Sequence, residues 1–124
     1  MKTLFFVFSF LFLFQTGVNN IDPATFKKMA EDKNVVVIDL RTADEITRKG
    51  KIAGARVIDY LSDSAQVVIK KLDRTKTYLV YCAGGGRSAD CANEMVGLGF
   101  KNIYNLTRGF ESWKNAGLPI ETKK

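Results

Sequence analysis

The residues with the clearest chemical potential form one short segment that begins at Cys82 and ends at Ser88. Its order is Cys82-Ala83-Gly84-Gly85-Gly86-Arg87-Ser88. A free thiol is mostly protonated near neutral pH, because its pKa is about 8.5, but a helix N-terminus or a nearby cation favours the thiolate. Ser88 is a favourable N-cap for the helix-forming stretch 89–96, and Arg87 adds a permanent positive charge. The segment therefore predicts a nucleophilic cysteine that electrostatics keeps ionised.

The three glycines, Gly84, Gly85 and Gly86, predict how the backbone surrounds the sulfur. Glycine adopts positive φ at little cost and has no side chain, so consecutive amides can turn inward as an anion-binding nest. We expect the amides from Ala83 to Ser88 to stabilise charge on the sulfur. The alternative is a glycine-rich turn after a buried cysteine that acts only as a small hydrophobe. A Walker-type phosphate loop is excluded, because Gly-Lys-Ser/Thr at the required spacing is absent.

The chain contains no histidine, which excludes several other catalytic classes. Cys-His proteases and Ser-His hydrolases both need an imidazole base. Two cysteines without histidine are also a poor zinc site. The formal charge is +6, but the basic residues are scattered among acidic ones, which favours a solvated surface over a nucleic-acid-binding patch. We therefore predict no nucleic-acid partner and a positive field that assists encounter with small anions.

Strand and helix signals alternate along the chain. Apolar runs predict strands at 35–38, 57–58, 78–81 and 103–104, while helices are predicted after Asp22, after Thr42, over 67–72, from 89 to Gly99, and around Phe110 and Trp113. Thr42 also stands at capping-box spacing from Glu45. The alternation predicts an α/β domain with three layers, in which helices cover both faces of a mainly parallel central sheet. Cys82 then lies at the carboxyl end of a strand, where such sheets place their sites.

Other residues with chemical potential are interpreted as structural. Asp39 and Arg41 flank the end of a predicted strand, and such a pair usually satisfies itself and the nearby backbone. Cys91 could be a resolving thiol or a disulfide partner, but a disulfide would quench Cys82, so we interpret Cys91 as a buried helix residue. Phe110 and Trp113 are predicted to be core residues.

The N-terminus has the layout of a secretory signal. Lys2 is followed by an apolar run over residues 4–14 and then by Gln15, Thr16 and Gly17. The run is shorter than the roughly 20 residues that a membrane-spanning helix needs. We expect residues 1–19 to be a signal peptide or N-terminal hydrophobic leader and residues 20–124 to form one domain. The predicted location is outside the cytoplasm, in the bacterial periplasm, with no stable membrane association unless the leader stays uncut.

Four ordered motifs resemble the single-domain rhodanese family, and the resemblance covers nearly all of residues 20–120. They are D-x-R at 39–41, G-K-I-A-G-A at 50–55, Y-C-A-G-G-G-R-S at 81–88, and G-L-G-F-K-N-I-Y-N-L at 97–106, followed by Trp113 and G-L-P. Two positions depart from the family pattern. Lys51 occupies the usual histidine position, and Arg108 replaces the first glycine of a double glycine, where it could add positive charge.

The resemblance implies a rhodanese-like fold and a thiosulfate sulfurtransferase in exported form. Cys82 would attack the outer sulfur of thiosulfate or a related small anionic donor, hold it as a persulfide, and pass it to a thiol or cyanide acceptor. Arg87 would orient the anionic group of the donor, and no metal or organic cofactor is required. One alternative is a sulfur-carrier or redox-binding module without turnover. Another is a phosphatase or arsenate reductase, although the loops of those relatives have five residues between cysteine and arginine and this chain has four.

Overall fold

The computed structural model describes residues 17–122, which form a parallel sheet with helices on both faces. The strands are β1 (Asn19–Ile21), β2 (Val35–Asp39), β3 (Arg56–Val57), β4 (Thr77–Tyr81) and β5 (Asn102–Leu106). The helices are α1 (Pro23–Ala30), α2 (Ala43–Lys49), α3 (Ala65–Lys70), α4 (Gly86–Gly97) and α5 (Gly109–Asn115). The strand order is β1-β5-β4-β2-β3, and every pairing between these strands is parallel. The predicted fold class is confirmed.

The core is divided by the sheet, because successive strand residues point to opposite faces. One face buries Ile38, Val80 and Ile103 together with residues of α3 and α4 such as Ile69 and Met95. The other face carries Val37, Leu79 and Leu106, which pack with Phe26 of α1 and with Phe110 and Trp113 of α5. Phe110 and Trp113 are each 3% exposed, which confirms that both belong to the core.

The first two helices begin at the residues that the sequence predicts. The Asp22 carboxylate accepts a hydrogen bond of 2.9 Å from the Thr25 amide, and Pro23 occupies the first helical position. The Thr42 hydroxyl accepts from the Glu45 amide at 3.2 Å, and the Glu45 carboxylate accepts from the Thr42 amide at 3.2 Å. This capping box starts α2 directly after β2 and fixes the position of Glu45 near the carboxyl edge of the sheet.

β1 is a strand that the sequence analysis does not predict, since three residues are too few to show a period. It pairs with β5, and Val18 packs against the core just before it. Val18 and Asn19, which precede the expected domain start at 20, therefore pack with the folded domain. Residues 1–16 of the predicted leader lie outside the described part of the chain. Within residues 17–122, no helix has the length and apolar character needed to cross a bilayer.

Gly109 allows α5 to pack directly on the loop that follows β4. Its φ is +58°, and a Cβ atom at this position would lie 2.5 Å from the Cys82 carbonyl oxygen and 2.7 Å from that of Ala83. The amides of Phe110 and Glu111 donate to the same two carbonyls at 2.8 and 3.1 Å. A side chain at residue 109 would push these groups apart, so the contact requires glycine.

We expect Gly109→Ala to lower the free energy of unfolding by more than about 2 kcal/mol, because the new methyl group meets backbone atoms that cannot rotate away. Gly97→Ala is the matched control. Gly97 is the last residue of α4, and a Cβ there meets no atom within 4 Å. This second change should leave stability within about 1 kcal/mol or raise it. Urea unfolding of both variants is the measurement, and equal effects would contradict the close approach of α5.

Candidate active site

Cys82 lies at the carboxyl end of β4, the middle strand of the sheet. Its side chain is almost fully buried, since the residue is 1% exposed. In the loop that continues from Ala83, Gly84 and Gly86 are exposed.

Two backbone amides of the loop point at the Cys82 sulfur. The Gly85 amide donates to Sγ at 3.1 Å and the Ser88 amide donates at 3.4 Å. The Ser88 hydroxyl also lies 3.4 Å from Sγ, and the Ser88 residue is fully buried. The Cys82 thiol donates to the Ser88 hydroxyl oxygen, and that hydroxyl donates to the Gly85 carbonyl at 3.3 Å. The two backbone amides are therefore the groups that donate to the sulfur.

The structure corrects the predicted start of α4. The helix begins at Gly86 rather than after Ser88, and Gly85 is its N-cap residue, with a left-handed φ of 108°. This left-handed turn brings the chain into the helix three residues earlier, so Ser88 lies inside the first turn. The predicted N-cap role of Ser88 is wrong, but the earlier start is what places its amide and hydroxyl beside the sulfur.

The expected positive φ occurs at only one of the three loop glycines. Gly85 has it, while Gly84 and Gly86 do not. A Cβ on Gly85 would also lie 3.4 Å from the Arg108 amide nitrogen and 3.5 Å from the Arg108 Cα. Gly86 and Arg87 are the first two residues of α4, and amides at these positions have no intrahelical acceptor.

Arg87 is committed to an ion pair that the sequence analysis does not predict. Its Nη1 and Nη2 atoms each donate to one carboxylate oxygen of Glu45 at 2.9 Å. The two side chains are 23% and 24% exposed. The hydrogen bonds from Arg87 lower the pKa of Glu45 to about 2, and those to Glu45 raise the pKa of Arg87. The pair ties α4 to α2. The capping box identifies Glu45 from the sequence, but Arg87 lies 42 residues further along the chain, so no local pattern predicts the pair.

A buried polar cluster fixes the strand ends beneath Cys82. Asp39 Oδ2 accepts from Arg41 Nη2 at 2.8 Å and from the Tyr81 hydroxyl at 2.6 Å, while Asp39 Oδ1 accepts from Arg41 Nε at 3.0 Å. The Tyr81 hydroxyl in turn accepts from the Ile52 amide at 3.0 Å. Burial and the adjacent Asp39 carboxylate raise the pKa of Tyr81. The structural interpretation of Asp39 and Arg41 is confirmed.

The remaining residues of interest have distinct placements. Cys91 is buried in α4 as predicted, and burial raises the pKa of its thiol to about 12, which makes it a poor nucleophile. Lys51, in the position of the family's histidine, donates from Nζ to the Ala55 carbonyl at 3.0 Å. Arg108 is exposed at the carboxyl edge of the sheet, where it is the N-cap residue of α5.

Comparison with known proteins agrees with this geometry. The model of the rhodanese-like domain matches residues 22–116. The chain belongs to the rhodanese family. This rhodanese is 33% identical over 102 residues to the thiosulfate sulfurtransferase GlpE of Pseudomonas putida, an alignment that covers 82% of this chain and 89% of the relative.

Solved structures show the same fold. The polysulfide-sulfur transferase homodimer of Wolinella succinogenes is 26% identical with a TM-score of 0.73, over 86% of this rhodanese and 80% of that chain. A Rhodopseudomonas palustris protein described as a possible tyrosine phosphatase is 32% identical with a TM-score of 0.66, over 84% of this chain and 85% of that one. Taken with the family match, the sulfurtransferase relatives support sulfurtransferase activity in this rhodanese.

We expect the Glu45–Arg87 ion pair to make stability depend on pH in a defined window. The pKa of Glu45 is about 2 in the folded protein against an ordinary 4.5, so its contribution is fully present above pH 4.5 and is lost as pH falls towards 2. Near neutral pH, Glu45→Gln should lower the free energy of unfolding by on the order of 1–2 kcal/mol.

Urea unfolding of the parent and of Glu45→Gln at neutral pH, pH 4.5 and pH 2 provides the measurement. The difference between the two proteins should shrink as the pH falls below 4.5. Glu31→Gln is the control, because Glu31 is an exposed residue paired only with Lys27 across one helical turn. A Glu45→Gln difference that stays constant across this range would show that the pair does not stabilise the fold.

Proposed function

We propose that this rhodanese transfers sulfane sulfur from a small anionic donor to a thiophilic acceptor through a persulfide on Cys82. The observation that carries the proposal is that the Gly85 and Ser88 amides both donate to one sulfur atom. Such donors stabilise negative charge on sulfur, both in the thiolate and in the persulfide anion. The sulfurtransferase names of the relatives support the same assignment.

The reaction balances without an outside oxidant. The Cys82 thiolate attacks the outer sulfur of thiosulfate, the bond between the two sulfurs of the donor breaks, and sulfite leaves with that electron pair. A cyanide or thiolate acceptor then attacks the outer sulfur of the persulfide, and the Cys82 thiolate leaves with its electrons. The two half-reactions share one covalent intermediate, so we expect ping-pong kinetics.

The loop residues have separate parts in this proposal. The amides of Gly85 and Ser88 hold the sulfur, and the loss of one such donor would cost about 3 kcal/mol of transition-state stabilisation. The backbone of Ala83, Gly84 and Gly86 would line the donor's approach to the sulfur. Arg87, held by Glu45, would keep the loop against α2 and contribute a compensated charge.

We expect the protein to gain one sulfur atom when it is incubated with thiosulfate, as measured by intact mass. Cys91→Ser is the matched control and should gain the same sulfur, since Cys91 is a buried helix residue. Cys82→Ser should gain none, and cyanide should remove the sulfur from the parent. Sulfur that remains bound to Cys82→Ser would refute the assignment.

The same preparation distinguishes the alternatives to an enzyme of this class. Steady-state formation of thiocyanate from thiosulfate and cyanide is the expected result. A stable persulfide with negligible turnover until a protein partner is added would instead indicate a sulfur carrier. Release of phosphate from an aryl phosphate would indicate a phosphatase.

We also propose that the N-terminal leader directs export to the bacterial periplasm. Cleavage after Gly17 would leave Val18 and β1 intact, whereas a start at residue 20 would remove Asn19, whose side chain donates to the Ile103 carbonyl at 3.4 Å. We expect the mature chain from the periplasm of a bacterial host to have the mass of residues 18–124. A full-length mass in the membrane fraction would contradict cleavage, and a full-length mass in the cytoplasm would contradict export.

A further inference from the structure

Arg108 has a backbone conformation that does not suit arginine. Among residues 17–122 it is the one non-glycine residue with positive φ, at φ 60° and ψ 18°. The left-handed region costs an L-residue about 1–2 kcal/mol, a cost that glycine avoids. Its side chain makes no capping hydrogen bond for α5. Arginine therefore strains this turn without stabilising the helix that follows, and such strain is concentrated at functional sites.

The backbone of Arg108 touches the loop that holds the sulfur. A Cβ atom on Gly85 would lie 3.4 Å from the Arg108 amide nitrogen. Arg108 therefore lies against Gly85, whose amide donates to Cys82 Sγ. Gly109, the next residue, packs on the Cys82 carbonyl. A long side chain that leaves the backbone at this point starts beside the sulfur loop.

The charge of Arg108 is uncompensated. Within the described part of the chain its side chain makes no hydrogen bond and no ion pair, and the residue is exposed. It lines a cleft of about 420 Å³ together with Pro23 of α1 and with Glu111 and other residues in and just after α5. No ion pair joins Arg108 to Glu111. The charge of Arg87, in contrast, is offset by Glu45 through two hydrogen bonds.

We propose that Arg108 is a positioning residue that draws the anionic end of the sulfur donor to the Cys82 loop and so favours doubly charged donors such as thiosulfate. The inference rests on the proposed function. It assigns to Arg108 the attraction of the anionic donor, because the charge of Arg87 is largely offset by Glu45. Because Arg108 is exposed, its field acts over about 10 Å at 0.1 M salt and weakens as salt is added.

Arg108→Gly tests the proposal without a risk of misfolding, since glycine suits the backbone at this position. The variant should be at least as stable as the parent. Its kcat/KM for thiosulfate should fall about fivefold at low salt, mainly through a higher KM, and the difference should narrow as salt screens the charge. Arg108→Lys should restore most of the affinity because it keeps the charge.

The matched control for net charge is Lys76→Gln. Lys76 precedes β4 and so lies at the amino edge of the sheet, opposite Cys82. This variant removes one positive charge, as Arg108→Gly does, and should leave the KM for thiosulfate unchanged. An equal rise in KM for both variants would mean that only the total charge of the protein matters, and would overturn the proposal.

Alkylation gives a second readout that does not depend on sulfur transfer. The rate of Cys82 modification by anionic iodoacetate, divided by the rate with neutral iodoacetamide, reports attraction of anions to the sulfur. The ratio should fall in Arg108→Gly and rise in Glu111→Gln. An unchanged ratio and an unchanged KM would overturn the role of Arg108. A changed ratio in a protein that forms no persulfide would retain that role and refute the proposed function.

Discussion

The site depends on the left-handed turn at Gly85, because this turn starts α4 at the next residue and directs two amides at one sulfur. The Cys82 and Ala83 carbonyls, at the start of the same loop, accept hydrogen bonds from the Phe110 and Glu111 amides of α5. Because buried carbonyls need such partners, a strand, a loop and one helix are insufficient. The loop around the sulfur also needs α5 and the absence of a side chain at Gly109.

Two ion pairs of different burial hold the other side of the site. The Asp39–Arg41 pair has side chains that are 0% and 1% exposed, and its large desolvation cost is offset by hydrogen bonds from Tyr81 and to the Gly50 carbonyl. Through Tyr81 it joins the ends of β2 and β4, which are already held side by side by their strand pairing. The Glu45–Arg87 pair is partly solvated and joins the helices that follow the same two strands. Strand ends and helix starts are thus fixed independently, one by a buried cluster and one by a surface-accessible bridge.

The sequence predicts the parts of this structure that depend on local chemistry. The N-cap at Asp22 and the capping box at Thr42 each depend on residues only three positions apart in the sequence, and both are confirmed. β1 and the start of α4 are missed for different reasons. The edge strand β1 forms because β5 offers it a partner, and α4 starts early at a left-handed Gly85 whose backbone lies against that of Arg108. Both are consequences of contacts between distant parts of the chain.

Charge compensation is the property of the site that sequence reasoning handles least well. Arg87 is adjacent to the glycine loop, so its position in the sequence favours it as the cation that meets the donor. Its partner Glu45 lies 42 residues away and is placed by a capping box that serves another helix. Once that carboxylate is accounted for, Arg108 is a cation beside the loop with no partner among residues 17–122, and the sequence marks it only as a departure from glycine. A strained backbone whose side chain makes no hydrogen bond and no ion pair with the described residues is explained most simply by the charge that it carries to this position.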